Sequence, residues 1–193
     1  MDKESIIQKT ADHVKEQMLG DGSGHDWWHV YRVWKTAIHI AEKEKADMFI
    51  VQLAALLHDL ADWKLYKGDD LKPVKDWLET LEIDNETADL VCEIVKNVSF
   101  KGAGVRSEIT KTKEGMVVQD ADRLDAIGAI GIARALAYGG HKGREIHNPD
   151  TKPVKHKTFE EYKSSKGTTI NHFYEKLLLL KDRMKTETGK KMA

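Results

Sequence analysis

Apolar residues recur along most of this chain at intervals of three and four, the period of a helix buried on one side. In residues 28–45 the stripe is Val30, Val33, Trp34, Ala37, Ile38 and Ala41. Asp26, just ahead of it, is suited to accept hydrogen bonds from the free amides of a first turn. A second helix, about residues 47–63, is apolar nearly all round, with Ile50, Val51, Leu53, Ala54, Ala55, Leu56, Leu57 and Leu60. Such a helix belongs in the middle of a core. Gly68 ends the turn that follows, and a short helix starts at Pro73, a residue at home in a first turn. It carries Val74, Trp77 and Leu78. Residues 85–98 form another helix, with Ala88, Val91, Cys92, Ile94 and Val95 inward, and the polar stretch 101–115 reads as a loop. Residues 116–138 read as one helix rich in alanine and glycine, which lets helices approach closely. A long loop without periodicity spans 139–157, and a last helix, roughly 159–186, packs Ile170, Phe173, Leu177 and Leu180. No alternating strand pattern or repeat appears, so the prediction is an all-α fold in one domain of roughly seven to nine helices.

Composition narrows the picture. The 193 residues carry 31 Lys plus Arg against 32 Asp plus Glu and are 40% apolar. A chain of this length encloses a real core. Its balanced charge offers nothing to attract a nucleic acid polymer or an anionic membrane. No apolar run approaches the ~20 residues of a membrane helix, and the polar N-terminus lacks the apolar core of a secretion signal. Cys92 is the only cysteine, so no intrachain disulfide forms and a cysteine-rich zinc module is excluded. The expectation is a soluble, cytoplasmic protein, with a homodimer left open.

Some polar residues sit where the apolar pattern should have none. His58 and Asp59 end the most apolar helix, and burying an ionised Asp costs several kcal/mol unless it is paired or coordinated. Both could instead cap the helix end and face water. His29 follows Trp27 and Trp28 in the first turn of its helix, where a histidine is commonly just packed. Asp120, Asp122 and Asp125 lie inside a small-residue helix and could be salt-bridged to Arg123 and Arg134. Together, three core helices bring imidazoles and carboxylates into apolar surroundings. Two of each make a first shell for a borderline divalent ion.

The ordered trio His29-x-x-Arg32-Val33, Ala54-Ala55-Leu56-Leu57-His58-Asp59 and Asp120-Ala121-Asp122-Arg123-Leu124-Asp125-Ala126 resembles the HD superfamily of metal-dependent phosphohydrolases. The resemblance covers about residues 24–138. Residues 120–129, and the tail Asn171-His172-Phe173-Tyr174-Glu175-Lys176-Leu177, are similar to small bacterial members that act as nucleoside triphosphate pyrophosphohydrolases. It implies metal ligands at His29, His58, Asp59 and Asp122, and one divalent ion, with Mn²⁺ favoured over Mg²⁺, Co²⁺, Ni²⁺, Zn²⁺ or Fe²⁺. Helix geometry separates Asp122 from Asp120, which lies about 200° round the axis and cannot face the same ion. On the same reading Asp122, Asp125, Ala126 and Ala129 share one face, with Asp125 behind the ligand or on the substrate.

Further roles follow from position and from the family. Asp62 lies one turn after His58 on the same face, the offset at which related nucleotidases place a general acid or base. Lys64 could meet a phosphate, and Asp69 resembles a Gly-Asp that touches sugar or water. Phosphates need cations in a dry site; the candidates are Arg32, Lys101, Lys142 and Arg144, the last two in a 139–158 loop that could serve as a lid. His172 and Lys176, four apart near the C-terminus, could contact the site. No histidine falls between Asp59 and Asp122, where HD-family cyclic-nucleotide phosphodiesterases hold a second metal. One metal is therefore expected, and the resemblance to the small bacterial members implies hydrolysis of a nucleoside triphosphate to monophosphate and pyrophosphate. The alternatives are a 5′-nucleotidase-like phosphomonoesterase and a non-catalytic nucleotide sensor.

Overall fold

The structure, a computed structural model, describes residues 2–20, 22, 24–60, 71–98, 111–165 and 167–193. Among them there is no β-strand, and the all-α prediction holds. Seven helices have eight residues or more: α1 (Lys3–Met18), α2 (Trp27–Glu44), α3 (Met48–Leu57), α4 (Lys72–Glu79), α5 (Asn85–Val98), α6 (Lys113–Asp125) and α7 (Gly128–His141). Three shorter ones follow: α8 (Phe159–Ser164), α9 (Thr169–Glu175) and α10 (Glu187–Met192), with two 3-10 turns between the last two.

The most apolar helix is the central one. Val51 and the run Leu53 to Leu57 in α3 are fully buried, and α1, α2, α5 and α6 all pack against this helix. Each of the valine and leucine side chains among them contributes about 1.5–3 kcal/mol of transfer free energy. Asp47 starts α3 by accepting from the amides of Phe49 and Ile50, so six apolar residues run inward from a well-capped end. The first turn of α2 is held by Asp26, which accepts from the His29 amide. That capping bond carries His29 into the core, where it is completely buried.

Three predicted helices are corrected and one helix is new; the helix expected over 47–63 ends at Leu57, with residues 58–60 in a turn. The helix expected over 116–138 starts earlier, at Lys113, and breaks after Asp125. Ile127 is extended and Gly128 takes φ +69°, a left-handed conformation that glycine adopts without steric penalty. Ala126 and Ala129 therefore do not continue the face of Asp122 and Asp125. The last helix expected over 159–186 is instead α8, α9 and two 3-10 turns. α1 has no counterpart in the prediction, although Ile6, Ile7, Thr10, Ala11, Val14 and Met18 form its buried stripe.

The 139–158 segment is tied to α9. Thr169 and Ile170 donate their amides to the carbonyls of Glu145 and Ile146, at 3.0 and 2.9 Å. Asn171 Nδ2 donates to the Thr151 carbonyl, and the Val154 amide donates to Glu175 Oε1. The C-terminal end is fastened by Asp120, which accepts from the amides of Lys185 and Thr186 and from Thr186 Oγ1. None of the described helices is long and apolar enough to cross a membrane.

Candidate metal centre

Where α2, α3 and α6 meet, four polar side chains converge inside apolar surroundings. His29, His58 and Asp59 are buried, and the Asp122 side chain is 27% exposed, marking the open side. His29 Nε2 lies 3.2 Å from Asp59 Oδ2 and 3.5 Å from Asp122 Oδ1. His58 Nε2 lies 3.5 Å from Asp59 Oδ1 and 3.9 Å from Asp122 Oδ1. One ligand atom from each of His29, His58 and Asp122 falls within 4.8 Å of the others.

The outer nitrogens determine what the inner ones do. His29 Nδ1 is 2.7 Å from Asp125 Oδ2, and a carboxylate only accepts, so Nδ1 carries the proton. His58 Nδ1 is 2.7 Å from the Ala55 carbonyl, which also only accepts. In the neutral rings both lone pairs are then on Nε2, and the two Nε2 atoms face each other at 3.3 Å. The two acceptors and the Asp122 carboxylate, with Asp59 beside both histidines, form a donor set that suits a divalent cation.

The two carboxylates are held in the charged form a cation needs, whereas the His29 ring, with no cation present, holds a proton more tightly than usual. Burial pushes the Asp59 carboxyl up, but the neighbouring His58, His25 and His29 outweigh it and hold it well below the usual carboxylate range. Asp122 behaves alike: burial raises it, His58 and His29 pull it down, and Lys176 adds to the pull. Burial disfavours charge on His29, yet Asp59 and the bonds to Asp125 and Asp59 raise its pKa overall. For Asp125, burial is again the largest effect, and it is overridden by hydrogen bonds from His29 and Arg32 and by the Arg134 charge. Its pKa falls to about 2.

The predicted residues divide into three groups. His29, His58, Asp59 and Asp122 come together. Arg32, expected on a phosphate, donates Nε and Nη2 to Asp125 Oδ1 and Oδ2 at 2.6 and 3.0 Å. Asp125 therefore stands behind His29, with its oxygens taken by His29, Arg32 and Arg134. Lys142 and Arg144 sit over the Tyr138 ring, at 5.5 and 5.8 Å from its centroid, and Tyr138 meets His25 edge-on. Lys176 follows α9 one turn after His172 and acts on Asp122 by charge. Asp62, Lys64, Asp69 and Lys101 lie outside the described residues. Sequence reasoning missed His25, whose Nδ1 is 3.0 Å from Asp59 Oδ2. It precedes the α2 cap, so no helical spacing pointed to it; its nearness to His29 was the only signal.

An HD-domain family model matches residues 27–127. The Bacillus subtilis protein YpgQ is 42% identical, spanning 93% of this chain and 81% of its own length. The crystal structure of YpgQ in complex with ADP matches with a TM-score of 0.71 at 40% identity, covering 94% of this chain and 87% of that one. A crystal structure from Lactobacillus plantarum gives a TM-score of 0.91 at 36% identity, over 100% and 90% of the two chains. An HD-superfamily hydrolase from Bacillus thuringiensis gives 0.72 at 43% identity, over 99% and 88%. Two histidines and two aspartates gathered where three helices meet, with these matches, mean that the chain belongs to the HD-domain family.

Proposed function

We propose that this protein is a metal-dependent phosphohydrolase that cleaves nucleoside triphosphates to monophosphate and pyrophosphate. The observation that carries the reading is the facing pair of His29 and His58 Nε2 atoms, closed in by Asp59 and Asp122. Relatives support it: one is described as an HD-superfamily hydrolase, and YpgQ was crystallised with ADP. His29, His58, Asp59 and Asp122 would hold one divalent ion, and a mixed nitrogen and oxygen donor set suits Mn²⁺.

Such an ion supplies polarisation of a phosphoryl oxygen and acidification of a water molecule. The protein supplies the rest. Asp125 fixes the His29 ring through Nδ1 and is itself fixed by Arg32 and Arg134. Asp62, four positions after His58 in the sequence and outside the described residues, would take the proton of the attacking water. Lys176, with Lys142 and Arg144 around Tyr138, would neutralise the polyphosphate, and His172 would lie alongside. Lys64, Lys101 and Asp69 remain proposed substrate contacts from the family resemblance.

The test is product analysis of a nucleotide panel with each divalent metal, by chromatography and phosphorus NMR. Monophosphate with pyrophosphate is expected. Release of orthophosphate from monophosphates would make the protein a phosphomonoesterase, and binding without turnover would make it a sensor.

A further inference from the structure

His25, outside the four-ligand set, touches it directly, and Arg134 holds groups that stand behind it. His25 Nδ1 lies 3.0 Å from Asp59 Oδ2, and since a carboxylate only accepts, Nδ1 is the donor. The ring also meets His29 and Tyr138 edge-on, with centroids at 5.7 and 5.8 Å. Its side chain is 14% exposed, so it stands at the rim of the buried cluster.

The backbone that presents His25 is itself held. Gly24 has φ +87°, a left-handed turn immediately before the histidine. Its carbonyl accepts from Arg134 Nε at 2.7 Å. The same guanidinium places Nη1 3.1 Å from Asp125 Oδ2, the oxygen that accepts from His29 Nδ1. One arginine on α7 thus reaches two outer partners, the turn that aims His25 at Asp59 and the carboxylate that orients His29.

We propose that His25 and Arg134 are positioning residues that brace Asp59 and His29 in the orientation from which they grip the cation; the inference rests on the metal-centre reading above. A carboxylate that gives one oxygen to a metal holds its angle best when the other oxygen has a donor. His25 provides that donor to Oδ2, which leaves Oδ1 on the His58 side, 3.5 Å from its Nε2. Arg134 makes the brace part of α7, so the helix carrying Tyr138 also sets the ligand geometry.

The experiment measures Mn²⁺ affinity of the full-length protein at fixed pH from the electron paramagnetic resonance of free Mn²⁺. Circular dichroism melts run on the same samples. His25→Ala is expected to weaken binding by about 10- to 100-fold, the usual worth of an outer-shell partner. His25→Asn places an amide nitrogen near the Nδ1 position and should recover most of the loss. His25→Gln places its amide nitrogen nearer Nε2 and should not. Arg134→Met should weaken binding in the same direction. Wild-type affinity in a folded His25→Ala, or equal affinity in the Asn and Gln variants, overturns the brace while leaving the metal centre standing. Should His25→Ala fail to fold, the Asn and Gln comparison decides alone. A wild-type protein that binds no Mn²⁺ overturns the metal centre and the brace with it.

Discussion

Asp120 and Asp122, two residues apart on α6, serve opposite sides of the helix. Asp120 is fully buried and accepts from the backbone of Lys185 and Thr186, while Asp122 lies 3.5 Å from His29 Nε2. The half-turn offset between them makes one a clasp for the C-terminal segment and the other a wall of the histidine cluster. Asp120→Asn should therefore destabilise the fold by about 1–3 kcal/mol, because it leaves buried donors poorly matched. Asp122→Asn should keep the fold and lose Mn²⁺ affinity and turnover. Urea titrations beside metal-binding curves check both, and a reversal of the two effects would show that the faces are exchanged.

Asp62 is the residue on which proton transfer is proposed to depend. Asp62→Asn should retain metal and substrate binding while kcat falls by roughly 10²–10⁴-fold, the usual worth of a positioned acid or base. The measurement is kcat at saturating Mn²⁺ with metal content from the same preparation. Turnover close to wild type would return Asp62 to a helix-end role.

Asp125 should leave a mark on acid stability in the metal-free protein. Its pKa is held at about 2 against an ordinary 3.8, so its stabilisation is complete above about pH 4 and is lost as pH falls toward 2. The shift corresponds to roughly 2 kcal/mol. Between pH 5 and pH 2 the wild type should lose more unfolding free energy than Asp125→Asn, measured by urea titration in chelator. Parallel pH slopes for the two proteins would show that the carboxylate is not held by its partners.

The break between α6 and α7 can be probed through the backbone alone. Gly128 has φ +69°, and a Cβ added there would meet nothing within 4 Å. Gly128→Ala should cost about 1 kcal/mol from the left-handed conformation itself. No loss of unfolding free energy would mean that the junction relaxes to another path.

Much of the architecture was legible in the chain. The stripes of α2 and α5 and the all-round apolar α3 are local patterns, and periodicity reports local burial. His58 and Asp59 stand out for the same reason, as polar groups at the end of an apolar helix, while the choice of His29 and Asp122 beside them comes from the resemblance to the HD superfamily. Spacing also separated Asp120 from Asp122, because both lie on one unbroken helix.

What the sequence by itself determined is therefore whatever depends on residues within a few turns of one another: the helix class, the buried faces, and the polar residues His58 and Asp59 that interrupt an apolar run. Only the tertiary structure decided the relationships that cross between elements. Arg32 turns to Asp125, 93 positions away, instead of facing outward. The helix breaks at Ile127, although alanine and small apolar residues continue past it, because Gly128 turns left-handed before the chain crosses to α7. His25 meets Asp59 across 34 positions, and Arg134 holds the carbonyl of Gly24 across a gap of 110. No local pattern encodes such contacts, since the partner's direction is set by how the helices pack and not by the spacing of residues along any one of them.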